Sequence, residues 1–124
     1  MIDFFGTLRR GDLAAAAALL DPDVTWHGLR EDWVCRGRDE VVETFRSGLG
    51  EHREIDAIEL TGEGDHVVVG LRGPSLTEVG GEPLDGQIFN VFTLRDGRIV
   101  SIADYRHRHE ALAAAGVSES AAWG

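Results

Sequence analysis

This 124-residue chain predicts an α+β fold, with helices first and an antiparallel sheet after them. Three observations carry that expectation. Apolar residues recur at helical spacing up to residue 49, and from residue 55 their period drops to two. Helices that precede the strands, instead of alternating with them, pack on one face of an antiparallel sheet. Finally, Asp96-Gly97 flanked by alternating apolar residues is the strongest short-range signal for a β-hairpin.

The elements follow in order. Phe4, Phe5 and Leu8 sit at helical spacing and predict a short first helix over residues 3–10. Gly11 interrupts it. Asp12 is a capping residue for a second helix over 13–20, whose alanine run has the highest helix propensity available. Asp21-Pro22-Asp23 stops that helix, and 24–27 is a short β-prone segment. An irregular stretch with Gly28, Trp33 and Gly37 leads to Asp39, which opens a third helix. Val41, Val42, Phe45 and Leu49 give that helix one apolar stripe. Residues 55–61 and 66–72 read as a hairpin about 62–65, and the Gly- and Pro-rich residues 73–86 as a loop or frayed strand ends. The Asp96-Gly97 hairpin occupies 87–105, and 110–115 predicts a terminal helix closed by Gly116. No repeat or linker divides the chain, so 1–124 is read as one domain.

Two polar residues, Asn90 and Asp104, interrupt the nearly all-apolar strands of the last hairpin. Burial disfavours the charged form of a carboxylate, so Asp104 is either paired within the structure or kept for chemistry. Whether the two residues meet depends on one residue of register. A two-residue turn sets Leu94 opposite Ile99 and puts Asn90 and Asp104 on opposite faces. A three-residue loop over 95–97, with Gly97 left-handed in a bulge, sets Leu94 opposite Arg98. Ile88, Asn90 and Phe92 then share a face with Val100, Ile102 and Asp104.

Composition narrows the function classes. With 22 acidic against 12 basic residues, the net charge of −10 repels phosphate backbones and argues against nucleic acid as a partner. No apolar run reaches the length of a membrane span, and Met1-Ile-Asp-Phe-Phe5 has no basic leader, so the expected address is the cytoplasm. Cys35 is the single cysteine, which excludes a disulfide framework. No phosphate-binding glycine pattern appears, so no cofactor is expected. The later strands are apolar on both faces: Val67, Val69 and Leu71 against Val68, and Phe89 and Val91 against Ile88, Phe92 and Leu94. Helices can bury one face, and a second copy of the chain is the expected cover for the other.

Several segments in order carry a resemblance that spans nearly the whole chain. They are Gly11-Asp12 before the alanine-rich helix, Leu20-Asp-Pro-Asp-Val-Thr-Trp-His27, Gly37-Arg-Asp-Glu-Val41, and Val91-Phe-Thr-Leu-Arg-Asp-Gly-Arg-Ile-Val100 running on to Asp104-Tyr105. The chain resembles the nuclear transport factor 2-like superfamily, and within it the SnoaL-like group. The resemblance implies a strongly curved sheet wrapped around the N-terminal helices, a cone-shaped pocket between them, and commonly a homodimer. It also implies a choice of chemistries, since steroid delta-isomerases, limonene epoxide hydrolases, polyketide cyclases, dehydratases and non-enzymatic members share the fold. The strand around Asn90 looks like the isomerase strand that carries a buried oxyanion donor. Asp104-Tyr105 resembles the epoxide-hydrolase and cyclase strand that carries a catalytic aspartate. Both point into the cone in the family, which selects the bulged register. The isomerase tyrosine has no counterpart, and of the epoxide-hydrolase set, an arginine between two aspartates, Arg72 and Asp104 are candidates while Pro74 stands where the second acid is expected.

The candidate catalytic residues are therefore Asp104 as general acid or base, Asn90 as oxyanion donor, and His27 as proton shuttle. Each has a structural alternative: an ion pair of Asp104 with Arg72 or Arg106, a satisfied buried amide, or a half-buried rim histidine. Arg72, Trp26, Trp33, Ile88, Phe92 and Ile102 are candidates to line a pocket for a small apolar ligand, though core packing is the commoner role of such aromatics. His107 and His109, two apart, lack a third metal ligand, so no metal is expected. Cys35 has no identifiable basic partner. Two classes stay open, a small acid–base enzyme and a non-catalytic ligand-binding or structural dimer. A closed, dry pocket with Asp104 free of cation partners favours the first, and Asp104 locked by Arg72 the second.

Overall fold

The computed structural model describes residues 4, 6–7, 10–49 and 56–117. Of the predicted first helix, Phe4, Gly6 and Thr7 are helical, while Phe5 and Leu8 lie outside the described residues. Helix α1 spans Leu13–Ala18, and Asp12 caps it by accepting from the Ala15 amide at 3.1 Å. It ends two residues short of the sequence expectation. Leu20, fully buried, is drawn into the sheet opposite Ile99, and tertiary burial overrides local propensity there.

Strand β1 is consequently longer than expected, Leu20–His27, and takes in Asp21-Pro22-Asp23. Those three residues form an irregularity within the strand, where Asp21 Oδ1 accepts from the Asp23 amide at 2.8 Å and the register shifts between Leu20 and Thr25. The stretch read as irregular contains β2, Val34–Arg36, antiparallel to β1. Helix α2 covers Arg38–Leu49. β3 (Ala57–Glu63) and β4 (His66–Arg72) form the expected hairpin, with Ile55 outside the described residues. Residues 73–86 hold a miniature hairpin, β5 (Glu78–Val79) and β6 (Glu82–Pro83). β7 (Gln87–Arg95) and β8 (Arg98–Tyr105) follow, then α3, Arg108–Ala115, closed by left-handed Gly116.

Six strands make one curved sheet in the order β2-β1-β8-β7-β4-β3. All neighbours are antiparallel except β1 and β8. That parallel pair joins elements some 75 residues apart, and no local pattern encodes it.

The last hairpin corrects the register argument while keeping its outcome. Asp96 and Gly97 both have positive φ, 53° and 76°, and form a two-residue turn of the type whose twist suits a hairpin. Leu94 faces Ile99, so the expected bulge at Gly97 is absent. The extra residue lies further along: Thr93 pairs with Ser101 and Leu94 with Ile99, which leaves Val100 unpaired as a bulge. Beyond it Asn90 pairs with Asp104. One inserted residue flips the alternation and returns Asp104 to the face of Asn90.

Each face of the sheet has its own core. On the inner face, Ala16 of α1 and Val41 of α2 pack with Leu20, Val24, Val69, Phe92, Ile99 and Ile102. Phe4 meets Phe45 and Phe92 edge to face at 5.4 and 6.0 Å. On the outer face, Ala111, Leu112 and Ala115 of α3 bury Val68, Phe89 and Val91. The two-sided apolar strands are thus covered within one chain, and they do not call for a second copy. Arg108 anchors α3 by a two-pronged ion pair to the buried Glu59 of β3, at 3.0 and 2.8 Å.

Candidate functional site

Three adjacent strands bring three polar side chains to one point on the inner face. Asn90 of β7 and Asp104 of β8 are direct cross-strand partners, and Trp26 of β1 pairs with Ile102, two residues before Asp104. The Trp26 indole Nε1 donates to Asp104 Oδ1 at 2.8 Å, and the Asn90 amide Nδ2 donates to the same oxygen at 2.5 Å. Phe45 of α2 lies over Trp26, ring to ring at 4.7 Å, and fixes the indole.

Both donors converge on Oδ1. Among the described residues nothing donates to Oδ2, and no cation pairs with the carboxylate. Its electrostatics follow from that. Burial pushes the Asp104 pKa from 3.8 up to about 6, and the hydrogen bonds from Trp26 and Asn90 oppose the shift without cancelling it. The result is a carboxyl group held in one orientation by one oxygen, with no donor on the other among the described residues, and able to exchange a proton near neutral pH.

The remaining predicted residues divide. Ile88 lies on the inner face two residues before Asn90 and is half-buried. Phe92 and Ile102 share that face but are sealed in the core, at 2% and 0% exposure, so they support the site from behind. His27 is exposed, and strand alternation with Trp26 directs it to the outer face, away from Asp104. Arg72 is likewise exposed and alternates with Leu71, so it too faces outward. Trp33 packs at the end of β1. A Cβ on Gly28 would come within 2.9 Å of it, one on left-handed Gly80 within 2.8 Å, and the Arg30 guanidinium lies 5.2 Å from its ring centre.

Sequence reasoning missed two things. Trp26 was expected to act as an apolar wall, and its N–H donates to Asp104 as well. Glu82, inside the segment read as a loop, pairs with both Arg30 and Arg106 and ties the β5–β6 hairpin to the ends of β1 and β8. No signal for either contact exists in the sequence, because each depends on the parallel β1–β8 pairing. His107 and His109 precede and open α3, their rings stacked at 5.7 Å. No group of three metal-ligating side chains occurs among the described residues. Among the described residues no helix is long and apolar enough to cross a membrane.

Residues 1–102 match the SnoaL-like domain. The chain belongs to the SnoaL-like family. No curated protein matches it. Among solved structures it is similar to a protein of Sinorhizobium meliloti provisionally named a polyketide cyclase, at 19% identity and TM-score 0.61 over 82% of this chain and 89% of that one. A nuclear transport factor 2-like protein of unknown function from Cytophaga hutchinsonii aligns at 15% identity and TM-score 0.62, over 88% of each chain. A de novo designed protein with a curved β-sheet aligns at 18% identity and TM-score 0.62, over 86% of this chain and 81% of that one. At such identities the likeness is one of fold, and a designed scaffold shares it as closely as natural proteins do.

Proposed function

We propose that this SnoaL-like protein is a small acid–base enzyme, a cyclase, isomerase or dehydratase acting on an apolar oxygenated compound, with Asp104 as the proton-transferring group. One observation carries the reading: Asp104 sits among apolar residues with its pKa raised to about 6, held by two neutral donors on one oxygen and, among the described residues, by no cation. A carboxylate kept only to brace the sheet would be expected to pair with an arginine. The neighbours provisionally named polyketide cyclases, in Sinorhizobium meliloti and in Xanthomonas campestris at 22% identity, agree with a small-molecule reading.

In this scheme Oδ2 takes a proton from carbon next to a carbonyl. The C–H electron pair becomes the enolate double bond, and the carbonyl π pair moves onto oxygen. Asn90 spends one amide hydrogen on Asp104 and has a second for that oxygen. Protonated Asp104 then returns its proton to another carbon, or to a departing hydroxyl group as its C–O bond breaks. Trp26 keeps the carboxyl in register throughout. His27 and Arg72 have no part in these steps, and the arginine-flanked aspartate pair of an epoxide hydrolase finds no support.

Deuterium uptake tests this without the natural substrate. Apolar ketones incubated in D2O with the protein are expected to gain deuterium beside the carbonyl, and Asp104→Asn is expected to slow that exchange on the order of a hundred-fold or more. Ketones that bind without exchanging would replace the enzyme by a ligand-binding protein. A homodimer belongs to the same reading through the family resemblance alone, since α3 already covers the outer apolar residues.

A further inference from the structure

Ile58 and Leu60 of β3 are 53% and 45% exposed, and among the described residues no other large apolar side chains are so open. Register places both on the inner face. Leu60 pairs with Val69, which pairs with Asn90, which pairs with Asp104. Ile58 pairs with Leu71, which pairs with Ile88. The first of these rows is blocked, because Val69 is sealed in the helical core at 1% exposure. The second stays open: Ile88 and Leu71 are half-buried and Ile58 is exposed, so the row opens to solvent at β3. At the ends of β1 and β8, by contrast, the rim is polar, closed by Arg30, Glu82 and Arg106.

We infer that Ile88, Leu71 and Ile58, with Leu60 as a lip, form a track that reads the apolar tail of the substrate while its oxygenated head meets Asp104. The inference rests on the proposed function for the head group only. It names the substrate class as an elongated molecule with a polar reacting end, lying across the strands and emerging at β3. From β8 to β3 is three strand spacings, about 14 Å. At about 1.3 Å of reach per carbon–carbon bond, that length accommodates on the order of ten carbons. About half of Ile58 and of Leu60 faces solvent without a ligand, and contact with a tail gives that exposure a use.

Straight-chain primary alcohols from butanol to dodecanol, binding measured by displacement of an apolar fluorescent dye, test the track. Affinity is expected to rise about three- to fourfold per methylene up to roughly decanol and then to flatten. Ile58→Ser and Leu60→Ser alter exposed positions and leave the fold intact. Both are expected to weaken decanol about tenfold and to leave butanol unchanged. Equal weakening of both alcohols, or of neither, overturns the track. Asp104→Asn reads the head separately: a uniform shift at every chain length fits both proposals. A chain-length trend insensitive to Asp104→Asn supports the track while removing the acid from the binding site.

Discussion

Replacing Asp104 by Asn is expected to stabilise the protein at alkaline pH while disabling it. The folded-state pKa of about 6 lies above the ordinary 3.8, so the folded state holds the proton more tightly than the unfolded chain. Sign follows from linkage: this group's contribution is most favourable below the unfolded pKa and is lost as pH rises through the folded one. The two pKa values differ by about 2.2, which at 1.36 kcal/mol per unit makes about 3 kcal/mol over the full window, and about 2 kcal/mol of it between pH 4 and pH 8. Asn is neutral throughout, and its carbonyl oxygen still accepts from Trp26 and Asn90. Urea unfolding of wild type and Asp104→Asn at pH 4, 6 and 8 isolates the effect, because every other titrating group is common to both. The stability difference is expected to move in favour of the variant by about 2 kcal/mol from pH 4 to pH 8. A difference flat with pH, or one that moves towards the wild type, refutes a desolvated Asp104 and with it the proposed acid–base role.

Trp26→Phe keeps the ring over Phe45 but removes one donor to the charged carboxylate, so the Asp104 pKa is expected to rise further above 6, seen as a later midpoint in a carboxyl NMR titration. Arg108→Ala strands the buried Glu59 and is expected to cost about 3–5 kcal/mol in urea unfolding, far more than loss of the exposed Arg46–Glu43 pair. Leu112→Ala opens a cavity under the fully buried centre of α3, with an expected loss of about 2–5 kcal/mol and dye binding to the outer face. Light scattering at micromolar concentration is expected to give the mass of a dimer, and a monomer mass removes the homodimer from the proposed reading.

Much of the fold was legible because its signals are local. Asp12, the alanine run, the apolar stripe of α2, the hairpins at 62–65 and at Asp96-Gly97, and Gly116 each act over a few residues, and each is found where expected. What failed was non-local. Leu20 leaves a helix it is well suited to because Ile99 buries it, and β2 exists because Trp26 and His27 offer it an edge. Covering of the outer face was assigned to a second copy because the helices were expected on one face only, whereas α3 packs on the other. In the site, Asn90 and Asp104 were readable as polar intrusions in apolar strands. Trp26 was readable only as an aromatic, since its partner lies 78 residues away.

The hairpin shows how little sequence separates a site from its absence. A two-residue turn alone would have pointed Asp104 outward, beside Phe89 and Val91 and under α3, where no ligand reaches it. Val100 reverses that with a single unpaired residue. The same bulge puts Ile99 and Ile102, three apart, into the same core, a spacing that unbroken alternation forbids. The core therefore requires the bulge whether or not Asp104 does chemistry. This separates two questions that the fold tends to merge. Curvature, register and bulge are explained by burying Ile99, Phe92 and Ile102, and a designed protein with a curved sheet reaches a similar shape. Packing explains none of the acid itself: an apolar residue at 104 would fill the same face without a desolvation cost. A carboxylate that is costly to the fold, oriented by Trp26 and Asn90 and without a donor on Oδ2 among the described residues, is what the proposed proton transfer uses.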